Sequence, residues 1–294
     1  MRHHRMPLSS FVAMLPTTTF VVTVYLTCMA WTVFISFTSS KVLPNTNLVG
    51  LRQYERLLGT ERWAVSVENI VIYGVLYILA CLALGFVLAV FLDQKVRLEN
   101  TLRTVFLFPY ALSFIVTGAV WQWLFNPQLG LEAAIRRLGL EGFAPGIIAN
   151  PSTAIYALVI AAVWQGTGLV MVMLLAGLRG VDGEMMRAAR VDGIPVWRTY
   201  LQIVLPELKP MIATSVVLLA IAVVKVYDLV VAMTMGGPGI ATEMPAKFVM
   251  DHLFERGNIG LATAAATLML AVVLLFLIPW LYIEYVRPNR SVRR

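Results

Sequence analysis

Residues 69–92 read NIVIYGVLYILACLALGFVLAVFL and contain no charged side chain. A helix needs roughly 20 apolar residues to cross the hydrocarbon core of a bilayer, and this run is long enough. A membrane-spanning barrel would show short segments of alternating polarity instead. The run therefore predicts a transmembrane helix and indicates that the fold is built from helices in a membrane.

The rest of the chain repeats this pattern. Of its 294 residues, 59% are hydrophobic and 13% are charged, whereas charged residues make up about a quarter of an ordinary soluble domain. The uncharged runs predict about six transmembrane helices, at residues 12–36, 69–92, 104–125, 154–176, 210–231 and 263–284. We therefore expect an all-α membrane protein in which residues 1–294 form a single transmembrane domain.

The positive charges are unevenly distributed between the two sides that these helices define. Fourteen of the 23 Lys and Arg residues fall on one side, in segments 1–11, 93–103, 177–209 and 285–294. Cytoplasmic segments of membrane proteins carry such an excess, so both termini are predicted to lie in the cytoplasm. The net charge of +7 is compatible with a nucleic-acid partner, but this distribution argues against one. Contact with anionic membrane lipid explains the basic C-terminal tail better than contact with DNA does.

The sequence argues against a cleaved signal peptide, a disulfide framework, a metal site and two common enzyme motifs. Arg2 and Arg5 precede an apolar stretch as in a signal peptide, but the stretch is too long for one and has no clear cleavage site. Cys28 and Cys81 fall inside predicted helices, which argues against a disulfide framework, and the three histidines lack metal-ligand spacing. The sequence contains no Gly-x-x-x-x-Gly-Lys phosphate loop and no Gly-x-Ser-x-Gly elbow. We therefore expect no enzyme activity, no metal and no cofactor in this chain.

The 177–209 loop, between the fourth and fifth predicted helices, carries several helix-boundary residues. Asp182 can cap the start of a first short helix, where its negative charge also suits the helix dipole. Gly193 can supply the left-handed residue that ends this helix. Pro195 suits the first turn of a second helix because its missing N–H is not needed there. The loop is therefore predicted to form a helix–turn–helix.

The second of these short helices is predicted to be amphipathic. Its apolar residues recur at helical spacing, at Trp197, Tyr200, Leu201 and Val204. Pro206 is predicted to end it. Two short amphipathic helices between membrane spans, on the basic side, form a surface suited to docking a partner. An ordinary interfacial loop is the alternative.

Further residues of the same loop form a recognisable motif, namely Ala188, Ala189, Asp192, Gly193, Ile203, Leu205 and Pro206. They resemble the coupling segment of binding-protein-dependent importer permeases, whose hallmark is Glu-Ala-Ala-x-x-Asp-Gly followed by Ile-x-Leu-Pro. Four further motifs agree in order with the sugar branch of that family, RTVFLFPY at 103–110, WQWLFNP at 121–127, NPST at 150–153 and TMGGPG at 234–239. The last is similar to the maltose-transporter F-type subunit, and the alpha-glucoside and glucose permeases are also similar. The resemblance covers residues 100–285.

This resemblance implies the type I permease fold of ABC importers. In such a transporter the chain would form half of a sugar pathway, in the inner membrane of a bacterium or archaeon, beside a second permease subunit. Two separate ATP-binding subunits would bind ATP and Mg, and an extracytoplasmic sugar-binding protein would deliver the substrate. The resemblance assigns contact with the ATP-binding subunits to Glu184, Arg187, Ala188, Ala189, Asp192, Gly193 and Pro206.

Arg187 departs from the family pattern. The family has a glutamate at this position, in the helix that docks into a cleft of the ATP-binding subunit. Glu184 lies one helical turn earlier, on nearly the same face, so it could carry that negative charge instead. The departure concerns the local ion pair and not the docking role of the loop.

Lys225 and Asp228 are ionisable residues inside the fifth predicted helix. They lie three residues apart, so on one continuous helix they would share a face and neutralise each other. Ionisable residues inside a span usually face a cavity or a partner, and Tyr227 adds a ring of the kind that stacks on sugars. Trp164 and Gln165 lie in the middle of the fourth helix, where an amide suits a hydroxyl-rich ligand. These five residues are predicted to line the substrate pathway.

Alternatives exist for these residues and for the whole chain. The charged pair can be a purely structural ion pair, and Gln165 can serve to pack neighbouring helices. A secondary transporter would use an ion gradient through the Lys225/Asp228 pair, and a membrane scaffold would transport nothing. The helix–turn–helix loop and the ordered motifs favour the importer permease.

Overall fold

The computed structural model describes residues 8–94, 96–137, 139 and 146–281. Within these residues every regular element is a helix, and one isolated bridge joins Thr38 and Leu48 in the loop after α1. The helices are α1 (Leu8–Ser36), α2 (Arg52–Leu58), α3 (Glu61–Asp93), α4 (Glu99–Leu107), α5 (Phe114–Leu124), α6 (Leu131–Arg137), α7 (Ala154–Leu178), α8 (Gly183–Val191), α9 (Val196–Glu207), α10 (Lys209–Val224), α11 (Asp228–Thr234), α12 (Pro245–Met250) and α13 (Ile259–Leu281). The predicted all-α class is confirmed. Arg2, Arg5, Lys95 and the basic C-terminal tail lie outside the described residues, so the orientation of the termini stays a prediction.

The described helices include both continuous and bent candidates for membrane spans. Among the described residues, three helices, α1, α3 and α7, are long and apolar enough to cross a membrane. The number rises to five if each of two bent pairs is one span, α4 with α5 at 97° and α9 with α10 at 72°. Each of the six predicted segments contains helix, α13 included. The count of six stays a prediction.

The described chain divides into two compact units. The first combines the residues up to Glu61 with those from Phe248 onward. In this unit α1 and α2 pack against α13. The side-chain amide of Gln53, on α2, donates a hydrogen bond to the carbonyl of Thr38 at 2.9 Å. The segment that follows α1 is therefore fastened to α2.

The second unit spans Arg62–Lys247 and contains all of the predicted site residues. Its central helix is α7, which α4, α5, α10 and α11 contact. A Cβ atom on Gly168 would lie 2.1 Å from the carbonyl oxygen of Phe106, and one on Gly166 would lie 2.5 Å from the hydroxyl of Tyr77. Small residues let helices approach closely in membranes. The glycines of α7 therefore allow the neighbouring helices to pack directly on its backbone.

The third predicted span, residues 104–125, is not one helix. α4 continues into a 3-10 turn at Phe108–Ala111, and α5 restarts after a 97° bend. Pro109 has no N–H to continue a regular ladder of hydrogen bonds. Ser113 then caps α5 by accepting from the backbone N–H of Val116 at 3.3 Å. The prediction of one continuous helix is wrong because hydropathy does not report the direction of the backbone.

Candidate functional site

The first helix of the 177–209 loop has the local structure predicted from the sequence. The Oδ1 atom of Asp182 accepts a hydrogen bond from the backbone N–H of Glu184 at 2.9 Å, which satisfies one donor at the start of α8. Gly193 has a φ of +70°, a left-handed conformation that is easy for glycine and strained for branched residues. The N–H of Ile194 bonds to the carbonyl of Ala189 at 3.0 Å. The helix–turn–helix prediction is therefore confirmed.

The second helix, α9, differs from the prediction in detail. Pro195 precedes the first turn as the capping residue, and a π turn occupies Tyr200–Val204. Pro206 does not end the helix, which runs to Glu207. Proline is tolerated there because it begins the regular turn that follows the π turn, where a missing N–H costs little. The chain then turns by 72° into α10.

α9 is fastened to the end of α3. Of its predicted apolar face, Tyr200 and Val204 are buried, whereas Trp197 and Leu201 are exposed. The hydroxyl of Tyr200 donates to Oδ2 of Asp93 at 3.1 Å and accepts from Nε2 of Gln94 at 2.9 Å. These two hydrogen bonds connect α9 directly to the end of α3. No local sequence pattern indicated this contact, because 107 residues separate Tyr200 from Asp93.

The residues of α8 and its turn that would meet a partner are mostly open to solvent. The exposed residues are Glu184, Arg187, Ala188, Asp192 and Gly193, whereas Ala189 is buried. The Nε atom of Arg187 donates to the carbonyl of Gly183, one turn earlier, at 3.3 Å. Within the described residues neither Glu184 nor Arg187 forms an ion pair. The surface therefore presents two opposite charges one turn apart.

The fifth predicted span, residues 210–231, is also broken. α10 ends at Val224, Lys225 follows its last turn, and α11 begins at Asp228. The prediction that Lys225 and Asp228 share one helix face and neutralise each other is therefore wrong. Both residues are exposed, and no ion pair joins them in the described chain. Valines flank the break and, being β-branched, they hold a helix less well than unbranched residues do.

Each of these two charges lies at the helix end that favours it. Lys225 is at the C-terminal end of α10, which carries partial negative charge, and Asp228 is in the first turn of α11, which carries partial positive charge. Tyr227 is half-buried between them, and its carbonyl accepts from the N–H of Val231 at 2.9 Å. The break therefore presents a cation, an aromatic ring and a carboxylate within four consecutive residues.

Trp164 and Gln165 are neighbours in sequence with different surroundings. Gln165 is 3% exposed, and its Nε2 donates to the carbonyl of Leu112 in the bend before α5, at 2.7 Å. Trp164 is 39% exposed and packs edge-to-face on Trp121, with ring centres 5.8 Å apart. Oε1 of Gln165 and Nε1 of Trp121 are buried without a hydrogen-bond partner in the described chain. The amide thus ties α7 to the bent span, as the packing alternative expects, and retains a free acceptor.

Residues 234–244, which we call the Gly-Gly-Pro loop, lead from the last residue of α11 to α12 and contain the TMGGPG motif. The hydroxyls of Thr234 and Thr242 lie 2.7 Å apart, and that of Thr242 also bonds to the carbonyl of Gly237 at 2.7 Å. Gly236 has a φ of +86°, and a Cβ there would lie 2.9 Å from a carboxylate oxygen of Glu243. The motif therefore forms a compact turn that folds back on itself.

A group of polar residues, which we call the Glu243 clamp, holds this loop against the start of α3. Glu243 is buried, and its carboxylate lies 2.9 Å from the guanidinium of Arg62 and 3.8 Å from the ammonium of Lys247. Nδ2 of Asn69 donates to the carbonyls of Ala241 and Glu243 at 3.0 and 2.9 Å. The clamp could not be identified from local sequence patterns, since 174 residues separate Asn69 from Glu243.

These features define a class of protein, a helical membrane domain with broken spans that exposes a helix–turn–helix loop to a partner. Residues 81–284, more than half of the chain, match the family described as binding-protein-dependent transport system inner membrane component. The chain belongs to that family.

Individual relatives agree with this assignment over most of their length. A probable ABC transporter permease of Pyrococcus horikoshii is 36% identical over 260 residues, which cover 87% of this chain and 89% of the relative. The trehalose/maltose transport system permease protein MalF of Thermococcus litoralis is 30% identical over 240 residues, 81% of this chain and 80% of the relative. A solved bacterial ABC transporter involved in the import of alginate has a similar fold, with a TM-score of 0.80 and 17% identity over 96% of both chains.

Family membership decides between the functional alternatives. The chain is a permease subunit of a binding-protein-dependent ABC importer and a multi-pass inner-membrane protein. The resemblance stated from the sequence motifs is confirmed. The secondary-transporter hypothesis is not supported, and the charges on which it rested do not form the expected pair.

Proposed function

We propose that this chain is one of two permease subunits of an ATP-driven sugar importer. It assembles with a second permease, with two subunits that bind ATP and Mg, and with an extracytoplasmic sugar-binding protein. Both termini and the 177–209 loop face the cytoplasm. The observation that carries the proposal is the construction of this loop, because α8 is exposed for docking while α9 is fastened to α3 through Tyr200.

The loop offers two routes from the ATP-binding subunits to the membrane spans. One route runs through the hydroxyl of Tyr200 to Asp93 and Gln94 at the end of α3. The other runs through the bend into α10, which ends at the break beside Lys225. A displacement of α8 on ATP binding would therefore reach the break directly along α10. This arrangement suits a subunit that converts docking movements into opening of a pathway.

The substrate pathway is assigned to Lys225, Tyr227, Asp228, Trp164 and Gln165. Exposed charges and an aromatic ring at the break provide hydrogen-bond donors, acceptors and a stacking face. The unpartnered Oε1 of Gln165 adds an acceptor. A sugar, with many hydroxyl groups, is the class of substrate that these groups bind best, and the transported substrates of the trehalose/maltose relative support the same class.

Assembly is tested by purifying the affinity-tagged chain from its native membrane in mild detergent and identifying the copurifying subunits by mass spectrometry. We expect a second permease and an ATP-binding subunit, together with sugar uptake that stops on ATP depletion and survives a proton uncoupler. A functional complex that contains two copies of this chain and no second permease would contradict the proposed assembly.

Coupling is tested by Gly193→Val, which places a branched residue at a φ of +70° in the turn between α8 and α9. We expect ATP hydrolysis that no longer drives uptake, with the protein still inserted in the membrane. Gly50→Val is the matched control, since Gly50 has a φ of +60°, lies outside the loop, and a Cβ atom added there would meet no atom within 4 Å. Equal uptake by both variants would contradict the role of the loop.

A further inference from the structure

An apolar groove of about 600 Å³ lies between the last turns of α3 and the first turns of α9. One wall is formed by Phe86, Val90 and Phe91, and the other by Trp197 and Leu201. Trp197 is 61% exposed although it is one of the largest apolar side chains in the chain. The groove is partly open to the surroundings, so an apolar group can enter it.

The groove is the end of a longer apolar surface on α3. Exposed apolar residues follow one another at every fourth position, at Val67, Val71, Val75, Leu79, Ala83, Val87 and Phe91. At 1.5 Å per residue these positions span about 36 Å of helix, which is about the thickness of the hydrocarbon core. A soluble subunit cannot cover a surface of this length inside the bilayer. The surface that continues into the groove therefore contacts lipid chains or another membrane subunit.

A cation beside Trp197, which lines the groove, favours lipid over a protein subunit as the occupant. The guanidinium carbon of Arg198 lies 5.3 Å from the centre of the Trp197 ring, and within the described residues Arg198 has no ion-pair partner. The carboxylate of Asp93, at the end of α3, is half-buried and accepts the hydroxyl hydrogen of Tyr200. An exposed arginine beside an interfacial tryptophan is suited to a phosphate group at the membrane surface.

We propose that this groove binds an anionic phospholipid from the leaflet on the side of the 177–209 loop. One acyl chain lies along Phe86, Val90 and Phe91, and the phosphate contacts Arg198. Since α9 forms one wall, the bound lipid supports the helix–turn–helix loop against α3. The site does not depend on which substrate is transported.

The test uses the whole transporter, purified through this chain and reconstituted with brominated phosphatidylglycerol or brominated phosphatidylcholine. Bromine quenches tryptophan fluorescence at contact, and a Trp197→Phe variant gives the background from the other tryptophans. We expect the Trp197 signal to be quenched at lower mole fractions of phosphatidylglycerol than of phosphatidylcholine. Arg198→Gln should reduce this preference about fivefold, the effect of one basic side chain near an anionic surface.

Arg187→Gln is the matched control, because it removes the same charge from the same loop on α8, outside the residues that line the groove. It should leave the preference unchanged. Equal quenching by the two lipids would show that the groove takes acyl chains without recognising a headgroup, and an equal effect of both variants would show general attraction to the surface. No quenching by either lipid would show that a protein subunit covers the groove. Each of these three results would overturn the proposal.

Discussion

The bend between α4 and α5 and the break between α10 and α11 both interrupt an apolar segment, but their surroundings are different. At the bend, the carbonyl of Leu112 accepts from the buried amide of Gln165 on the central helix. At the break, Lys225 and Asp228 are exposed and no ion pair joins them in the described chain. The first interruption is held by packing and hydrogen bonding, and the second leaves its polar groups available to a ligand.

The helices that follow the two interruptions, α5 and α11, pack against each other. A Cβ atom on Gly118 of α5 would lie 2.6 Å from the Cβ atom of Ala232 on α11. The open break is therefore attached, through α11, to the fixed bend. In the substrate pathway proposed above, the break would contact the substrate while the bend keeps its packing on α7. Three variants, one of them a double substitution, test this difference.

Gly168→Ala should have the largest effect, because it disrupts the close packing of α4, the first helix of the bent pair, on α7. The new Cβ would lie 2.1 Å from the backbone oxygen of Phe106, which cannot move without displacing α4. We expect a loss of at least about 3 kcal/mol in the free energy of unfolding, at the upper end of overpacking costs. Thermal unfolding of the purified protein in mild detergent measures it. Gly183→Ala is the control, because its nearest neighbouring atom is the end of the flexible Arg187 side chain at 3.8 Å.

The double variant Lys225→Met with Asp228→Leu tests the function of the charges at the break between α10 and α11. We expect assembly to survive while uptake falls about tenfold, the effect of losing about 1.4 kcal/mol of substrate interaction, and binding-protein-stimulated ATPase activity should also change. Because the two charges are exposed and not paired, each single variant should also assemble normally. Near-normal uptake by the double variant would mean that these charges only cap their helices.

Gln165→Leu should have a smaller effect than Gly168→Ala. The substitution leaves the partly buried carbonyl of Leu112 without its hydrogen bond, which costs about 1 kcal/mol and at most about 3 kcal/mol. Lys225→Met, measured in the same thermal assay, should change stability by less than about 0.5 kcal/mol because the residue is exposed. Equal stability of Gln165→Leu and Lys225→Met would contradict the proposal that hydrogen bonding holds the bend more firmly than the break.

The helical class and the 177–209 loop could be predicted because both depend on local chemistry. Uncharged runs mark segments suited to lipid, and Asp182 and Gly193 satisfy helix ends within a few residues of themselves. The two interruptions were missed for different reasons. Pro109 could have indicated the bend, since proline cannot continue a helix ladder. At the break, neither proline nor glycine is present from Val223 to Asp228, so the charges were placed on a continuous helix.

The contacts that fasten the elements together could not be predicted, because they join residues far apart in sequence. Tyr200 meets Asp93 across 107 residues, and Gln165 meets Leu112 across 53. From the sequence, Gln165 is compatible with a ligand site and slightly more so with helix packing. The surroundings of Trp164 do not indicate those of Gln165, because Trp164 is partly exposed whereas Gln165 is buried in the structure.

The Glu243 clamp also sets an order of events during biogenesis. Asn69 leaves the ribosome 174 residues before Glu243 does, and at roughly 5–20 residues per second this delay is about 9–35 s. During this interval the start of α3 must stay hydrated or be held by the insertion machinery, because the loop that will receive Arg62 and Asn69 has not been made. A newly made chain that is truncated before the Gly-Gly-Pro loop would expose these polar groups permanently, and membrane proteases could recognise it by them.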